Sequence, residues 1–495
     1  MQRPFKLRFS HLLFLLIPLF ALPSCATNPV TGKKQFSIIS EQKEIQMGQQ
    51  YDPQVVAEMG IYDDPKLQAF LVEKGNEMAA QSERPNLPWT FRLVDNSVVN
   101  AFAVPGGFVY FTRGIMAHFN NEAQFAGVLG HEIGHVTARH TVQQQSRQTL
   151  GQIALIGGMI ASPEIAAQGE SLMQGMQMLF LKYGRDAESQ SDQLGVRYST
   201  AVGYDATEMA GFFGTLDRLS GGAENRAPSF SSTHPDPLDR ERKVLEMAAE
   251  RKAAQPGKNF EVGRESYLRR IDGMLYGEDP NAGYEENGAF YHPQLKFQFN
   301  IPRQWQLLNA PSQVQMVAPD QKAVMQMKLA QGTDPRAAAQ EFIQGNNISV
   351  AQQSGNNING LPAYTVIGTA QQQAQQGQRQ QSPPIAVEAS FISYGGNIYM
   401  IVGMAAEADF RRYQRDIEYT IQSFAQLTDQ SKLNRQPERI KIVTNDRTQT
   451  IQQALIGQRI PQDRLQELSI LNGMELNETM QKGMLYKSLS GGNIR

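Results

Sequence analysis

The sequence predicts an α+β protein in three units: a mainly helical N-terminal domain with a small edge sheet, an α+β domain and a small C-terminal module. A length of 495 residues points to about three domains, at roughly 150 residues per domain. Residues 41–250 have helical patterning with one short β-prone interruption, whereas much of residues 386–402 alternates with the period of a strand. Residues 436–490 follow a strand-then-helix pattern, which predicts a third, separate unit.

The composition is that of a globular protein. Apolar residues make up 41% and charged residues 19% of the chain, which argues against a wholly disordered chain. The formal net charge is −2, and no basic stripe with interleaved aromatic residues occurs. We therefore expect no nucleic-acid partner.

The first 25 residues have the pattern of a secretory signal peptide. A positive segment with Arg3, Lys6 and Arg8 precedes an apolar run over residues 12–22. This run of about 11 residues is much shorter than the roughly 20 that a membrane-spanning helix needs. We therefore expect an exported protein of the bacterial periplasm.

Cys25 is the only cysteine, so an intramolecular disulfide is impossible. The stretch Leu22-Pro23-Ser24-Cys25 resembles the bacterial lipobox, which predicts lipidation of Cys25 and a membrane anchor. The alternative is ordinary cleavage at the small-x-small stretch 24–26, which would discard the cysteine. We favour the lipoprotein, and Ala26 after the cysteine favours the outer membrane.

Shifts in composition predict the domain boundaries. The N-terminal domain is expected over residues 26–250, a polar linker or exposed helix over 251–285, and a second domain of unknown role over 286–427. The Met-rich residues 150–183 predict a helical hairpin, either a mobile lid or membrane-facing edge, or a buried core helix. The Gln-rich residues 371–381 predict a disordered loop.

The C-terminal module, residues 436–490, loosely resembles a LysM-type glycan-binding module. Residues 445–448 (Asn-Asp-Arg-Thr) depart from the Gly-Asp-Thr turn of that family. An unrelated α+β cap is the alternative.

The main chemical signal is the stretch His131-Glu132-Ile133-Gly134-His135. On an α-helix, residues four apart are separated by about 400° of rotation, so both histidines project from nearly the same line. Their nitrogens can then reach one Zn²⁺ at roughly 2.0–2.1 Å. Glu132 lies beside the metal, where its carboxylate can act as a general base towards the attacking water. The spacing predicts a hydrolase site with one Zn²⁺ per chain.

The third metal ligand has to come from another part of the chain. In a helix running from residue 121 to about 148, His140 lies about 900° of rotation from His131 and faces the opposite side. The metzincin pattern fails, because Ala138 and Thr141 stand where it needs glycine and histidine. A glutamate on a second helix is the expected source, and the candidates are Glu164, Glu170 and Glu188.

Glu188 differs from the other candidates because Asp192 follows it at i+4, on the same helical face. Such a pair can supply a metal ligand and a carboxylate that orients a ligand histidine. A solvated acidic face has the same spacing, so the pattern alone leaves both interpretations open.

Several motifs occur in the order seen in one family: residues 28–32 (Asn-Pro-Val-Thr-Gly), 100–107, 131–135, 185–192 and 232–235. Over about residues 28–245 the sequence resembles the BepA-like and Oma-type zinc metallopeptidases, metallopeptidase family 48, which are related to the CAAX prenyl proteases. The resemblance implies a zincin-like protease domain in which Glu188 is the third zinc ligand and Asp192 its partner carboxylate. It also implies that one strand pairs with an extended peptide substrate. That strand comprises Asn100, Ala101, Phe102 and Ala103.

His234 also matches a position of this family. It lies in a turn rich in Ser, Pro and Asp, where a buried core histidine is not expected. His234 could hydrogen-bond the oxyanion of the transition state, or it could fill the fourth zinc position and keep the enzyme latent. Arg240 is expected to be a surface residue, with support of the same loop as the alternative.

Three functions follow as hypotheses. The first is a zinc endopeptidase that cleaves misfolded or envelope proteins and binds extended or unfolded polypeptides. The second is an envelope assembly factor or chaperone with latent protease activity, which would bind outer-membrane assembly proteins. The third is a lipoprotein that binds peptidoglycan through residues 436–490.

Overall fold

The computed structural model describes residues 25–37, 39–146, 183–220, 230, 233–234, 237–370 and 384–492. It is an α+β protein with several sheets, as the sequence predicts. The predicted signal segment before Cys25, the Met-rich segment up to residue 182 and the Gln-rich loop 371–381 lie outside the described residues. No helix within the described ranges combines the length and hydropathy needed to span a bilayer.

The N-terminal domain packs its helices around the helix that carries the histidine motif. Its helices are α1 (Glu41–Met59), α2 (Pro65–Ala79), α3 (Arg113–His118), α4 (Glu122–Thr137), α5 (Arg185–Ala201), α6 (Thr207–Ser220) and α7 (Pro237–Ala253). Its strands are β1 (Cys25–Thr27), β2 (Lys34–Phe36), β3 (Thr90–Val94), β4 (Ala101–Val104) and β5 (Phe108–Thr112). Strands β1 and β2 pair antiparallel, and the others form a sheet in the order β3-β5-β4, which leaves β4 at the edge.

Helix α4 is the centre of this domain, because all of its residues are buried. Asn121 begins the helix, and its side chain accepts a hydrogen bond from the backbone N–H of Gln124, which satisfies one of the free donors at the helix start. Helix α5 crosses α4 so closely that a Cβ on Gly130 would lie 3.0 Å from the carbonyl oxygen of Gly195. The two glycines therefore let α5 bring Glu188 to the histidine motif.

The histidine helix ends earlier than the sequence predicts. We expected a continuous helix to about residue 148, but α4 ends at Thr137 and a second helical stretch begins at His140. Between them, Arg139 has a left-handed backbone with φ of 61°. Its side chain donates to the buried carboxylate of Glu44 on α1, at 2.9 Å, and this long-range contact holds the break in place.

The segment over residues 251–285, which was expected to be a polar linker or an exposed helix, has regular structure and buried residues in part of its length. It contains helix α8 (Arg264–Arg270) and strand β6 (Leu275–Tyr276). Tyr267 and Leu268 of α8 are fully buried in the same core as α4. The polar composition hid these few apolar residues, which fix the segment to the domain.

The second domain contains the strands β7 (Tyr284–Glu286), β8 (Ala289–His292), β9 (Phe297–Asn300), β10 (Gln306–Ala310), β11 (Gln313–Val317), β12 (Ala323–Ala330), β13 (Ile348–Ile358), β14 (Leu361–Ala370), β15 (Ile385–Tyr394), β16 (Asn397–Ala406) and β17 (Ala425–Gln426). Its helices are α9 (Pro335–Gly345), α10 (Phe410–Ser423) and α11 (Gln430–Leu433). The domain is built on a seven-stranded antiparallel sheet in the order β10-β11-β12-β16-β15-β14-β13, with a four-stranded sheet β17-β9-β8-β7 beside it. Alternate residues of β15 face opposite sides of the large sheet: Val387 packs with α9, and Ala386 packs with α10.

Within the described residues, the C-terminal module contains four strands and two short α-helices. Its elements are β18 (Glu438–Thr444), β19 (Gln449–Thr450), α12 (Ile451–Gly457), α13 (Leu465–Leu471), β20 (Thr479–Met480) and β21 (Leu485–Gly491). Strand β18 pairs with both β21 and β6. Buried Lys487 donates from Nζ to the carbonyl oxygens of Ala117 and Phe119 at 2.7 Å, just before α4. The module is thus docked on the N-terminal domain, and its LysM-like character stays a prediction.

Candidate metal centre

Four side chains converge where α4 meets α5. His131 and His135 come from α4, Glu188 from the first turn of α5 and His234 from the segment before α7. One ligand atom from each lies within 4.8 Å of all the others, and all four residues are buried. His131 Nε2 is 2.9 Å from His135 Nε2 and 3.3 Å from His234 Nδ1. Imidazole nitrogens with one carboxylate form a donor set that zinc prefers.

Glu132 supplies an independent observation that a metal fits this site. Its side chain is buried, and neither carboxylate oxygen has a hydrogen-bond partner among the described residues. Burial raises the pKa of Glu132, partly offset by His234 and His131. His234 Nε2 lies 3.6 Å from Glu132 Oε1, which is too far for a hydrogen bond. A buried carboxylate without a hydrogen-bond partner is costly unless a cation or a polar group lies beside it, so the donors and this carboxylate together fit a zinc ion.

Asp192 and Arg240 form a charged layer behind the ligands. Asp192 Oδ1 lies 2.9 Å from His131 Nδ1 and can accept its proton in a hydrogen bond. Arg240 donates to both oxygens of Asp192, at 2.7 and 2.9 Å, and its Nη1 is 3.0 Å from Glu188 Oε2. Burial alone would raise the pKa of Asp192, but the Arg240 charge holds it below its usual value.

The expectation that Arg240 is a surface residue was wrong. Only 5% of Arg240 is exposed, and its guanidinium lies 4.4 Å from the centre of the Phe213 ring. The first turn of α7 points it inward, because two buried carboxylates need a counter-ion there. Arg240 Nη1 also donates to the carbonyl oxygen of His234 at 3.4 Å, so it ties the His234 segment to the metal centre.

His234 is held with its ring directed at the ligand group. Its backbone N–H donates to the carbonyl oxygen of Phe230 at 2.7 Å, and its ring stacks on that of Phe230 with centroids 4.4 Å apart. His234 Nδ1 lies 2.9 Å from Glu188 Oε1. Burial lowers the pKa of His234, but the Glu188 carboxylate more than offsets this and the pKa is raised.

The predicted substrate strand lies at the edge of its sheet. Asn100 precedes β4, which contains Ala101, Phe102 and Ala103, and β4 pairs only with β5 in the described part of the chain. Ala101 and Ala103 belong to the core around α4, whereas Phe102 packs with residues of α1. Edge strands can pair with extended peptides, and this role for β4 stays a prediction.

Comparison with known proteins identifies the domain that holds these residues. The sequence profile of peptidase family M48 matches residues 65–248. Residues 65–248 belong to peptidase family M48. This range contains the four proposed ligands and, in addition, Glu132, Asp192 and Arg240. The match confirms the family resemblance that the motifs predict. The matched range is a metalloprotease domain.

Three curated relatives are similar to part of this chain. The chain is 31% identical over 242 residues to a putative beta-barrel assembly-enhancing protease of Vibrio cholerae, covering 46% of this chain and 50% of the relative. It is 30% identical to the beta-barrel assembly-enhancing protease of Yersinia pestis, over 53% of this chain and 54% of the relative. It is 26% identical to the mitochondrial metalloendopeptidase OMA1 of Arabidopsis thaliana, over 41% of each. The chain thus spans about half the length of the first two relatives.

Among solved structures, cyanobacterial PsbP from Synechocystis sp. PCC 6803 matches 28% of this chain and 91% of its own, at 12% identity and a TM-score of 0.22. A likeness at that level carries no argument about this protein.

The sequence patterns did not indicate Tyr183, whose ring packs against the proposed metal ligand His135. Its ring centroid lies 4.0 Å from that of His135, and its backbone N–H donates to the carbonyl oxygen of Thr233 at 3.2 Å. Burial raises the pKa of Tyr183, so its hydroxyl stays protonated. It lies 48 residues after His135 in sequence, and no local spacing links the two.

Proposed function

We propose that this chain is a zinc-dependent metalloendopeptidase of the bacterial cell envelope, which hydrolyses peptide bonds in misfolded or envelope proteins. The observation that carries the proposal is the convergence of His131, His135 and Glu188 beside Glu132, whose carboxylate has no hydrogen-bond partner among the described residues. The M48 match supports the reaction class. The predicted signal segment and the relatives named for beta-barrel assembly support the envelope location.

In the proposed mechanism, the protein orients the reactants and moves a proton. His131, His135 and Glu188 would hold one zinc ion, which supplies Lewis acidity for water and the peptide carbonyl. Glu132 takes the proton of the attacking water and returns it to the leaving amine. Strand β4 would align an extended substrate through its backbone groups.

We propose that the described conformation is latent. A catalytic zinc site has three protein ligands and an open fourth position, whereas here His234 Nδ1 lies among the other donors. Release of His234 would open that position. This closed arrangement favours the second candidate function, an envelope assembly factor or chaperone whose protease activity is latent.

The proposed partners rest on the sequence resemblances of several parts of the chain. They are extended or unfolded polypeptides, outer-membrane assembly proteins, peptidoglycan bound through residues 436–490, and a membrane reached through a lipid on Cys25. Backbone atoms of Cys25 begin β1. Fatty-acid labelling of the chain that is lost in Cys25→Ser would support the anchor, and labelling that persists in this variant would contradict it.

Replacing His234 with Ala tests both activity and latency. We expect casein hydrolysis to rise by about tenfold or more, because a latent enzyme opens only in a minor fraction of molecules. A zinc chelator should abolish the activity, and added Zn²⁺ should restore it. The matched control is His292→Ala, which changes a histidine of the second domain, on β8, and should leave the rate unchanged.

The opposite outcome is equally informative. If His234→Ala keeps its zinc and cleaves casein more slowly than the unchanged chain, His234 stabilises the oxyanion and the latent interpretation fails. If neither form cleaves casein under any metal condition, the endopeptidase proposal fails.

A further inference from the structure

We propose that His140 is a positioning residue that orients the metal ligand His135 through a hydrogen-bond chain ending at Gln190. The proposal rests on the metal site of the proposed function and adds a residue to it. The rotation expected around a continuous helix excluded His140 as a metal ligand. In the structure, His140 lies outside the group of four donor residues. Its contacts give it a different role, behind the ligand.

The contacts form an ordered chain. His140 Nδ1 lies 3.1 Å from His135 Nδ1, and His140 Nε2 lies 2.9 Å from Gln190 Oε1. The amide oxygen can only accept, so Nε2 of His140 donates and its Nδ1 is left as an acceptor. His135 then donates from Nδ1, which leaves its Nε2 lone pair directed at His131 Nε2, 2.9 Å away.

The contacts of His140 fit a neutral ring. The residue is 5% exposed, and its described hydrogen-bond partners are a histidine, an amide oxygen and a hydroxyl, none of which carries a negative charge. A neutral ring can accept one hydrogen bond and donate another, as the chain requires. The Ser191 hydroxyl lies 3.2 Å from the same His140 Nδ1 and can support this acceptor.

The two ligand histidines therefore have different supports. His131 donates to the carboxylate of Asp192, whereas His140 is the hydrogen-bond partner found for His135 Nδ1 among the described residues. Metal-bound histidines nearly always donate their second N–H to a nearby acceptor, which fixes the tautomer and the ring orientation. Without His140, His135 Nδ1 would have no hydrogen-bond acceptor among the described residues.

The break after α4 is what brings His140 to this place. In a continuous helix, His140 would lie about 500° of rotation from His135, roughly 140° away around the helix. The left-handed turn at Arg139 folds the chain back so that the two rings meet. Glu44 holds this turn, because its carboxylate accepts from both Arg139 and Arg84 at 2.8–3.0 Å. A non-glycine residue keeps a left-handed backbone where several surrounding contacts hold it in that conformation, and such residues often lie at functional sites.

The test compares two replacements of His140 in the full-length chain. In His140→Asn the side-chain oxygen occupies the place of Nδ1, so the acceptor is kept; in His140→Leu it is lost. Zinc affinity is measured by competition with a chromophoric chelator, and stability by thermal melting of the zinc-free chain. We expect His140→Leu to bind zinc about 10- to 100-fold more weakly and His140→Asn to stay within about threefold of the unchanged chain.

His118→Leu is the matched control. His118 is buried, with Nδ1 2.7 Å from the carbonyl oxygen of Gly114, and it lies outside the metal centre. Its replacement should lower the melting temperature of the zinc-free chain without changing zinc affinity.

Three outcomes would overturn the proposal. Unchanged zinc affinity in His140→Leu would do so, and so would equal weakening by Leu and Asn, which would indicate a packing role. An unchanged chain that binds no zinc would overturn the metal site and this proposal together. Normal zinc binding without peptidase activity in either the unchanged chain or His234→Ala would overturn the proposed function alone.

Discussion

Glu132→Gln should leave zinc binding intact and lower casein hydrolysis by at least about a hundredfold, the scale of general-base catalysis. The amide cannot take a proton from water, yet it has the shape of the carboxylate. Because the Glu132 oxygens have no hydrogen-bond partner in the described residues, the replacement breaks no hydrogen bond, and it removes only the carboxylate charge 3.6 Å from His234 Nε2. The rates are best compared in the His234→Ala background, where the site is open.

Glu250→Gln is the control for this experiment, since Glu250 is exposed on α7. It should change neither zinc content nor rate. Full activity of Glu132→Gln with bound zinc would exclude Glu132 as the base. Loss of zinc in the same variant would mean that Glu132 acts as a ligand rather than beside one.

Arg240→Met should destabilise the zinc-free chain by about 3–5 kcal/mol, the scale for removing one partner of a buried ion pair. The replacement leaves Asp192 and Glu188 buried without the guanidinium that now contacts both. Zinc should also bind more weakly, because Asp192 loses the partner that fixes it behind His131. Urea denaturation and chelator competition measure the two effects.

The control is Arg242→Met, two residues further along α7. Arg242 is exposed and pairs with Glu246 at i+4, a contact worth less than about 1 kcal/mol. Equal effects of the two replacements would contradict the role assigned to Arg240. So would a loss below about 1 kcal/mol for Arg240→Met.

The sequence predicted the parts of the site that depend on local spacing. His131, Glu132 and His135 follow from the helical period. The spacing of Glu188 and Asp192 indicated a ligand pair, but choosing it over a solvated face needed the family resemblance. Arg240 was beyond this reasoning, because its partner Asp192 is 48 residues away in sequence and only the fold brings them together.

The prediction of where α4 ends was wrong for a similar reason. Neither Ala138 nor Arg139 is a helix breaker by propensity, so local sequence favoured a longer helix. Glu44, 95 residues earlier, overrides that preference by holding Arg139. The position of His140 against His135, and hence its positioning role, could not have been found from rotation on an uninterrupted helix.

The fold shows the same division between local and distant signals. The Pro-Gly-Gly stretch at residues 105–107 is a local turn signal between two apolar runs. Strands β4 and β5 lie directly before and after it. The order of the seven-stranded sheet depends on distant pairs such as β12 with β16. Docking of the C-terminal module depends on Lys487 reaching Ala117, 370 residues away, which no sequence pattern signals.

The most direct test of the metal centre is the metal content of the purified full-length chain, combined with X-ray absorption at the zinc edge. We expect one zinc per chain, bound by three histidine nitrogens and one carboxylate oxygen, and a loss of most of this zinc when Glu188 is replaced by Ala. A chain without stoichiometric zinc, or a zinc environment unchanged by Glu188→Ala, would contradict this expectation.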